Sequence, residues 1–153
     1  TQYVEAARRV LGGIDLDPAS CEVANATVKA TRYLTKDDDG LAHPWVGRVW
    51  MNPPYGGHTP AFCAKLVDHY QAGDVSAAIS LVNGHSTDAG WFHDHLWRGT
   101  VCFTRGRIKF EAGDGSSKDS PTYGSAFAYF GPHPERFAGE FSEFGAIVRR
   151  WPS

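Results

Sequence analysis

Arg48-Val49-Trp50-Met51-Asn52-Pro53-Pro54-Tyr55-Gly56 is the stretch that decides how this chain reads. Val49, Trp50 and Met51 form a short apolar, β-prone run that stops at two prolines. Proline has no N–H and a fixed φ, so neither Pro53 nor Pro54 can donate to a ladder inside a sheet. The strand therefore ends at Asn52, and a stiff loop follows at its carboxyl end. In open α/β sheets that edge is where ligands bind. The loop presents the Asn52 amide, a preset carbonyl at Pro53 and the aromatic face of Tyr55. Two acceptors beside a stacking surface suit a flat group with an exocyclic NH2, such as adenine turned out of its helix. A proline-stiffened turn with a packed tyrosine is the plainer account of the tetrapeptide in isolation. The preceding strand and the sequence on both sides favour a site.

Taken in order, residues 1–12 predict a helix. Tyr3, Val4, Ala7 and Leu11 share one face, and Gly12-Gly13 stops it. Ile14-Asp15-Leu16-Asp17-Pro18 alternates apolar and acidic residues and ends in proline, as a strand entering a loop does. Residues 19–30 have helical character, with Ser20 able to cap them. A carboxylate at the end of such a strand can accept both ribose hydroxyls of an adenosine cofactor. The plainer account makes one aspartate a helix cap and the other a surface charge. A phosphatase of the Asp-x-Asp type is set aside, because Ala19 stands where that pattern wants Thr or Val. Residues 30–34 predict a short strand, and Lys36-Asp37-Asp38-Asp39-Gly40-Leu41 an acidic turn. After the proline loop, Thr59-Pro60 opens a helix that buries Phe62 and Leu66. Residues 75–82 are an apolar strand, 83–84 a turn and 87–96 a short helix. His93-x-His95 points to two different helix faces and reads as solvent-facing, not as a metal site. Residues 100–110 predict a strand carrying Arg105, Arg107 and Lys109, the densest basic cluster. It is equally a phosphate clamp beside a Gly/Ser loop or an ordinary polar strand face. Residues 124–131 make a final strand and close a late hairpin, and 137–151 close the chain as a short helix and strand.

The 153 residues fit one domain, spanning 1–153. A hydrophobic content of 42% with 13% aromatics describes a folded chain. No apolar run reaches membrane-spanning length and no signal peptide opens the sequence. Cys21, Cys63 and Cys102 lack metal-ligand spacing and read as small buried hydrophobes in a reducing cytoplasm. The formal net charge of −2 gives no global pull toward nucleic acid, so any DNA affinity needs a local basic face.

Asn52-Pro53-Pro54-Tyr55 resembles the catalytic motif of amino-group methyltransferases that use S-adenosylmethionine. The resemblance to the phage-type (Dam-like) DNA N6-adenine methyltransferase family runs through almost the whole chain. It is carried by Ile14-Asp15-Leu16-Asp17-Pro18-Ala19-Ser20, Asp39-Gly40-Leu41, residues 45–56, 80–92 and 105–110, Ser120-Pro121 and residues 124–131. The tetrapeptide is shared with RNA and protein-glutamine methyltransferases, and the ordered set is far more specific. The resemblance implies Asn52, Pro53, Pro54 and Tyr55 as catalytic residues. It implies S-adenosylmethionine as cofactor, held by Asp15, Asp17, Pro18, Ser20 and Asp39, with Asp17 on the ribose and Asp39 on the adenine amino group. It also implies double-stranded DNA as partner, the cytoplasm of a bacterial host, and a phage or prophage gene. The strand–helix alternation agrees with the fold this implies. That fold is α/β, a three-layer, Rossmann-like S-adenosylmethionine-dependent methyltransferase with a mostly parallel sheet and an antiparallel edge hairpin. A Trp- and Thr-Pro-containing segment that precedes the first helix in that family is missing from this sequence. No Gly-x-Gly loop follows a strand, which leaves the methionine tail of the cofactor without assigned contacts. Two rivals remain open: the same chemistry on RNA adenine or protein glutamine, and a DNA-binding remnant without catalysis.

Overall fold

A computed structural model describes residues 2–54, 56–106 and 124–152. Among these residues seven strands join in one sheet: β1 Leu16–Asp17, β2 Arg32–Tyr33, β3 Gly47–Met51, β4 Val75–Asn83, β5 Thr100–Thr104, β6 Ser125–Phe130 and β7 Gly145–Arg149. Their order across the sheet is β2-β1-β3-β4-β6-β5-β7. β2, β1, β3 and β4 pair in parallel, while β6 runs against β4, β5 against β6 and β7 against β5. The expected late hairpin is β5 with β6. The antiparallel part is wider than an edge hairpin, because β6 inserts between β4 and β5 and β7 adds a further edge.

The helices among the described residues are α1 Gln2–Leu11, α2 Glu22–Val28, α3 Thr59–Gln71, α4 Gly90–Asp94 and α5 Pro134–Phe141. Strand residues alternate between two apolar clusters, as a period of two requires. Trp50, Ile79, Leu81, Cys102, Phe127 and Tyr129 face Val4, Ala7 and Val10 of α1 and Phe137 and Phe141 of α5. Val49, Met51, Ala78, Val82, Ala126 and Ala128 face Phe62, Leu66 and Val67 of α3 and Phe92 of α4. Both sheet faces are thus covered, which leaves the loops at the strand ends to build a site. Among the described residues no helix is long and apolar enough to cross a membrane.

The differences from expectation have local causes. α2 starts later than residue 19, and its cap is Cys21, whose Sγ accepts the Ala24 N–H at 3.4 Å, not Ser20. The Ser20 N–H is held by the Leu34 carbonyl at 2.8 Å, which ties the bend after β1 to the residue after β2 and keeps Ser20 out of the helix. Cys21 is also exposed, not buried as expected. Burial pushes the Cys63 and Cys102 thiols up to about 12 and about 11. The helix expected at 87–96 shortens to α4 between two 3-10 turns, Gly84–Asp88 and Leu96–Arg98, because Ala89 is extended at its start. β5 stops at Thr104, Arg105 and Gly106 form a bend, and the rest of the expected strand lies outside the described residues.

Candidate active site

A cavity of about 830 Å³ opens at the carboxyl ends of β1, β2 and β3. One wall is Pro18, Ala19 and Ser20, another is Thr35, Lys36, Asp39, Gly40 and Leu41, and a third is Asn52 and Pro54 with His58 and Phe62. Three stretches separated in sequence meet at the sheet edge where open α/β sheets bind ligands, in a volume suited to a small molecule. A second cavity, of about 220 Å³, is bounded by Arg98, Arg149 and Arg150 near the sheet's β5–β7 side and contains no residue of the three walls.

Two aspartates of similar sequence context part company. The carboxylate of Asp15 is taken up by Arg48: it accepts the Arg48 backbone N–H at 2.8 Å, Nε at 2.8 Å and Nη2 at 2.9 Å. Those hydrogen bonds hold its pKa below the usual carboxylate range. Asp15 does not line the cavity. It straps β1 to β3 over Gly47, whose φ of +90° favours glycine and where a Cβ would stand only 2.7 Å from Asp15 Oδ2. Both partners are more than one-third exposed, so Arg48→Ala is expected to cost only about 1 kcal/mol in chemical denaturation. Affinity for any cavity ligand should be unchanged.

Asp17, at the end of β1, is 2% exposed. Burial pushes its carboxyl up to about 7, offset in part by the Ala19 N–H at 3.2 Å and the Ser20 hydroxyl. No cation pairs with it among the described residues. The carboxyl itself does not line the cavity; the three residues that follow it do.

Asp39 has φ of +55° and its Oδ1 accepts the Leu41 N–H at 3.2 Å, so it caps the 3-10 turn Gly40–Ala42. It is exposed and borders the cavity. A Cβ on Gly40 would run into the Pro18 carbonyl oxygen, so glycine here lets two cavity walls touch. Trp45 Nε1 donates to the Gly40 carbonyl at 2.8 Å, and Lys65 Nζ to the Leu41 carbonyl at 2.8 Å, with that ammonium 5.5 Å from the Trp45 ring. Asp38, by contrast, accepts from the Thr35 backbone and hydroxyl within its own turn, which lowers its pKa.

In the proline turn, Asn52 is half-buried and borders the cavity. Among the described residues its side-chain amide has no hydrogen-bond partner. Pro53 is buried and Pro54 exposed, and Tyr55 lies outside the described residues. The Thr59 hydroxyl donates to the Pro54 carbonyl at 2.6 Å. Of the basic cluster only Arg105 is described: it is exposed just past β5, its backbone N–H on the Phe144 carbonyl at 2.7 Å. Arg107 and Lys109 lie outside the described residues. No three metal-ligating side chains converge among the described residues.

Sequence reasoning placed Lys36, Gly40 and Trp45 in motifs of this region without their contacts, and missed Lys65 and His58. A glycine after an αL aspartate was a legible signal for Gly40. Lys65 meets the Leu41 carbonyl across 24 residues, a contact that no local pattern encodes.

Three of the cavity's elements, the acidic β1 end, the Asp-Gly-Leu turn and the Asn-Pro-Pro turn, fall inside a single family match. The family model described as DNA N-6-adenine-methyltransferase (Dam) matches residues 3–136. Comparison with curated proteins gives no match. The match covers most of the chain and all three cavity walls, and on it the chain belongs to the DNA N-6-adenine-methyltransferase (Dam) family.

Proposed function

We propose that the chain transfers a methyl group from S-adenosylmethionine to N6 of an adenine turned out of double-stranded DNA. The observation that carries this is Asn52: a side-chain amide without a partner among the described residues, at the mouth of a cavity built by the motifs of the family. An amide that the fold does not use, on the wall of a cavity, is free to turn its acceptor and donors to a ligand in place of water. The layered sheet, helices on both faces, is read with it as a Rossmann-like methyltransferase fold.

The residues present fit the cofactor. Asp17 is a desolvated carboxyl buried directly behind the wall of Pro18, Ala19 and Ser20. It accepts from Ala19 and Ser20, and a ribose diol reaching it past that wall would add two donors to its ionised form. Asp39 offers a carboxylate at the cavity for the adenine amino group, and Pro18 and Ser20 form the wall between the two. Asp15 is assigned to the β1–β3 strap and not to the cofactor. When bound, S-adenosylmethionine would supply an electrophilic methyl group, its S–CH3 bond breaking to leave S-adenosylhomocysteine as N6 gains the methyl and releases one proton to solvent. The adenine amine is a poor nucleophile because its lone pair is delocalised into the ring. Asn52 Oδ1 and the Pro53 carbonyl accept its two N–H groups, which favours a pyramidal nitrogen and frees the lone pair for attack. Tyr55 stacks on the extruded base and offsets part of its unstacking cost. The setting is the cytoplasm of a bacterial host, with the enzyme phage- or prophage-encoded.

Arg105, with Arg107 and Lys109, is proposed to meet DNA phosphates. Arg105→Ala should then flatten the log–log salt dependence of DNA binding by about 0.9. An unchanged slope removes Arg105 from the interface. Calorimetric titration with S-adenosylmethionine tests the cofactor assignment: binding of one equivalent is expected, and none would overturn it.

A further inference from the structure

We infer that Thr59 is the positioning residue of the Asn52-Pro53-Pro54 turn in this reaction, acting through its hydroxyl on the Pro54 carbonyl. The inference rests on the function proposed above. Thr59 is 6% exposed, at the start of α3, and its Oγ1 donates to the Pro54 carbonyl at 2.6 Å. Its backbone N–H donates to the Gly56 carbonyl at 3.2 Å. One residue thus grips the chain at positions 54 and 56.

Little else among the described residues does so. A Cβ added at Gly56 or Gly57 would meet nothing within 4 Å among the described residues, so the packing of the turn there rests on buried Pro53 and not on residues 56 and 57. Pro54 and His58 are exposed. α3, by contrast, is anchored: Phe62, Cys63, Leu66 and Val67 are buried against the sheet. β3 fixes the other end, with Met51 wholly buried and in register with Ser80 of β4. The turn therefore hangs between two rigid elements, and Thr59 sets the second attachment. A side-chain amide and a carbonyl must be aimed together at one amine. Reacting groups held through supporting hydrogen bonds lose large factors when the support slackens.

The backbone bond survives any substitution that keeps the helix start, while the hydroxyl bond can be removed alone. Thr59→Val keeps the shape and deletes the donor; Thr59→Ser keeps the donor. The assay is single-turnover methylation of a duplex carrying the site that the parent methylates, with S-adenosylmethionine affinity by calorimetry and folding by circular dichroism. Fluorescence of 2-aminopurine at the target adenine reports extrusion of the base. Thr59→Val is expected to slow transfer roughly 10- to 100-fold, the scale of a misplacement near the reacting atoms. Its cofactor affinity and fold should stay those of the parent, and Thr59→Ser should recover most of the rate. Parental rate in Thr59→Val, an equal loss in Thr59→Ser, or a loss matched by weaker cofactor binding each overturns the inference. If Thr59→Val does not fold, Thr59→Ala is read the same way, and failure of both to fold assigns the hydroxyl to the fold alone. A parent that makes no N6-methyladenine contradicts the proposed function instead, so the two failures are distinguishable.

Discussion

Asn52→Ala is expected to lower single-turnover methyl transfer by roughly 10²-fold or more, equivalent to about 2.7 kcal/mol or more of transition-state stabilisation. The amide has no partner within the described residues, so the fold does not depend on it. Melting temperature and S-adenosylmethionine affinity should therefore stay near those of the parent. Removing the side chain takes away an acceptor for N6–H and, with it, both polarisation and aim. Asn52→Asp is the sharper companion: it keeps an acceptor of nearly the same shape and adds a charge at the cavity. A partial rate in Asn52→Asp with almost none in Asn52→Ala would assign the effect to acceptance of the N6 proton. Parental rates in Asn52→Ala, or losses that follow unfolding, remove the residue from the chemistry.

The second large effect belongs to Asp17. Its carboxyl titrates near pH 7 in the folded chain, against an ordinary value of 3.8 once the chain unfolds and water reaches it. Between those values the folded chain holds a proton that the unfolded chain has released, so stability falls as pH rises from about 4 to about 7. The span of the shift makes this on the order of 4 kcal/mol. Asp17→Asn should abolish that pH dependence and leave the chain more stable than the parent above pH 7, while acid stability changes little. Because ribose hydroxyls donate to the ionised carboxylate, the parent should bind S-adenosylmethionine more tightly as pH rises through 7. Asp17→Asn should bind it more weakly by about 1.5–3 kcal/mol, the worth of hydrogen bonds to a charged group. Urea melts at several pH values and calorimetry on the same samples read both effects. A variant that is stabilised but binds the cofactor as the parent does would make Asp17 a structural carboxyl only.

The two effects run in opposite directions on one side chain. A group that destabilises the free protein at neutral pH and strengthens ligand binding is the expected signature of a site, since buried charge is otherwise selected against by its desolvation cost. Asp15 lacks that signature. Its three donors from Arg48 already satisfy it, and its removal should touch β1–β3 pairing and little else.

How much of this was legible in the sequence follows from the range of each interaction. The stop of β3 just before Asn52 was legible because two prolines act locally on backbone φ and on N–H donation. The α1 face, the α3 start and the β4 run were legible for the same reason: period and capping are local. What separated Asp15 from Asp17 was not legible, because it depends on Arg48 reaching back across 33 residues. The placement of β6 between β4 and β5 was equally hidden, since strand order is set by which apolar faces meet, not by the order of strands along the chain. The capping of α2 by Cys21 could not be preferred over Ser20 until Leu34 was seen holding the Ser20 N–H. Gly40 could be recognised as a turn glycine, but its reason, the Pro18 carbonyl packed against it, is again a contact between distant stretches.

The most direct test of methyl transfer at the Asn52 turn is nucleoside mass spectrometry after incubating the protein with double-stranded DNA and S-adenosylmethionine carrying an isotopically labelled methyl group. Labelled N6-methyladenine is expected with the parent, and almost none with Asn52→Ala at equal cofactor occupancy. Label on cytosine, label on protein or RNA but not on DNA adenine, or equal N6-methyladenine from parent and Asn52→Ala would contradict the proposed reaction.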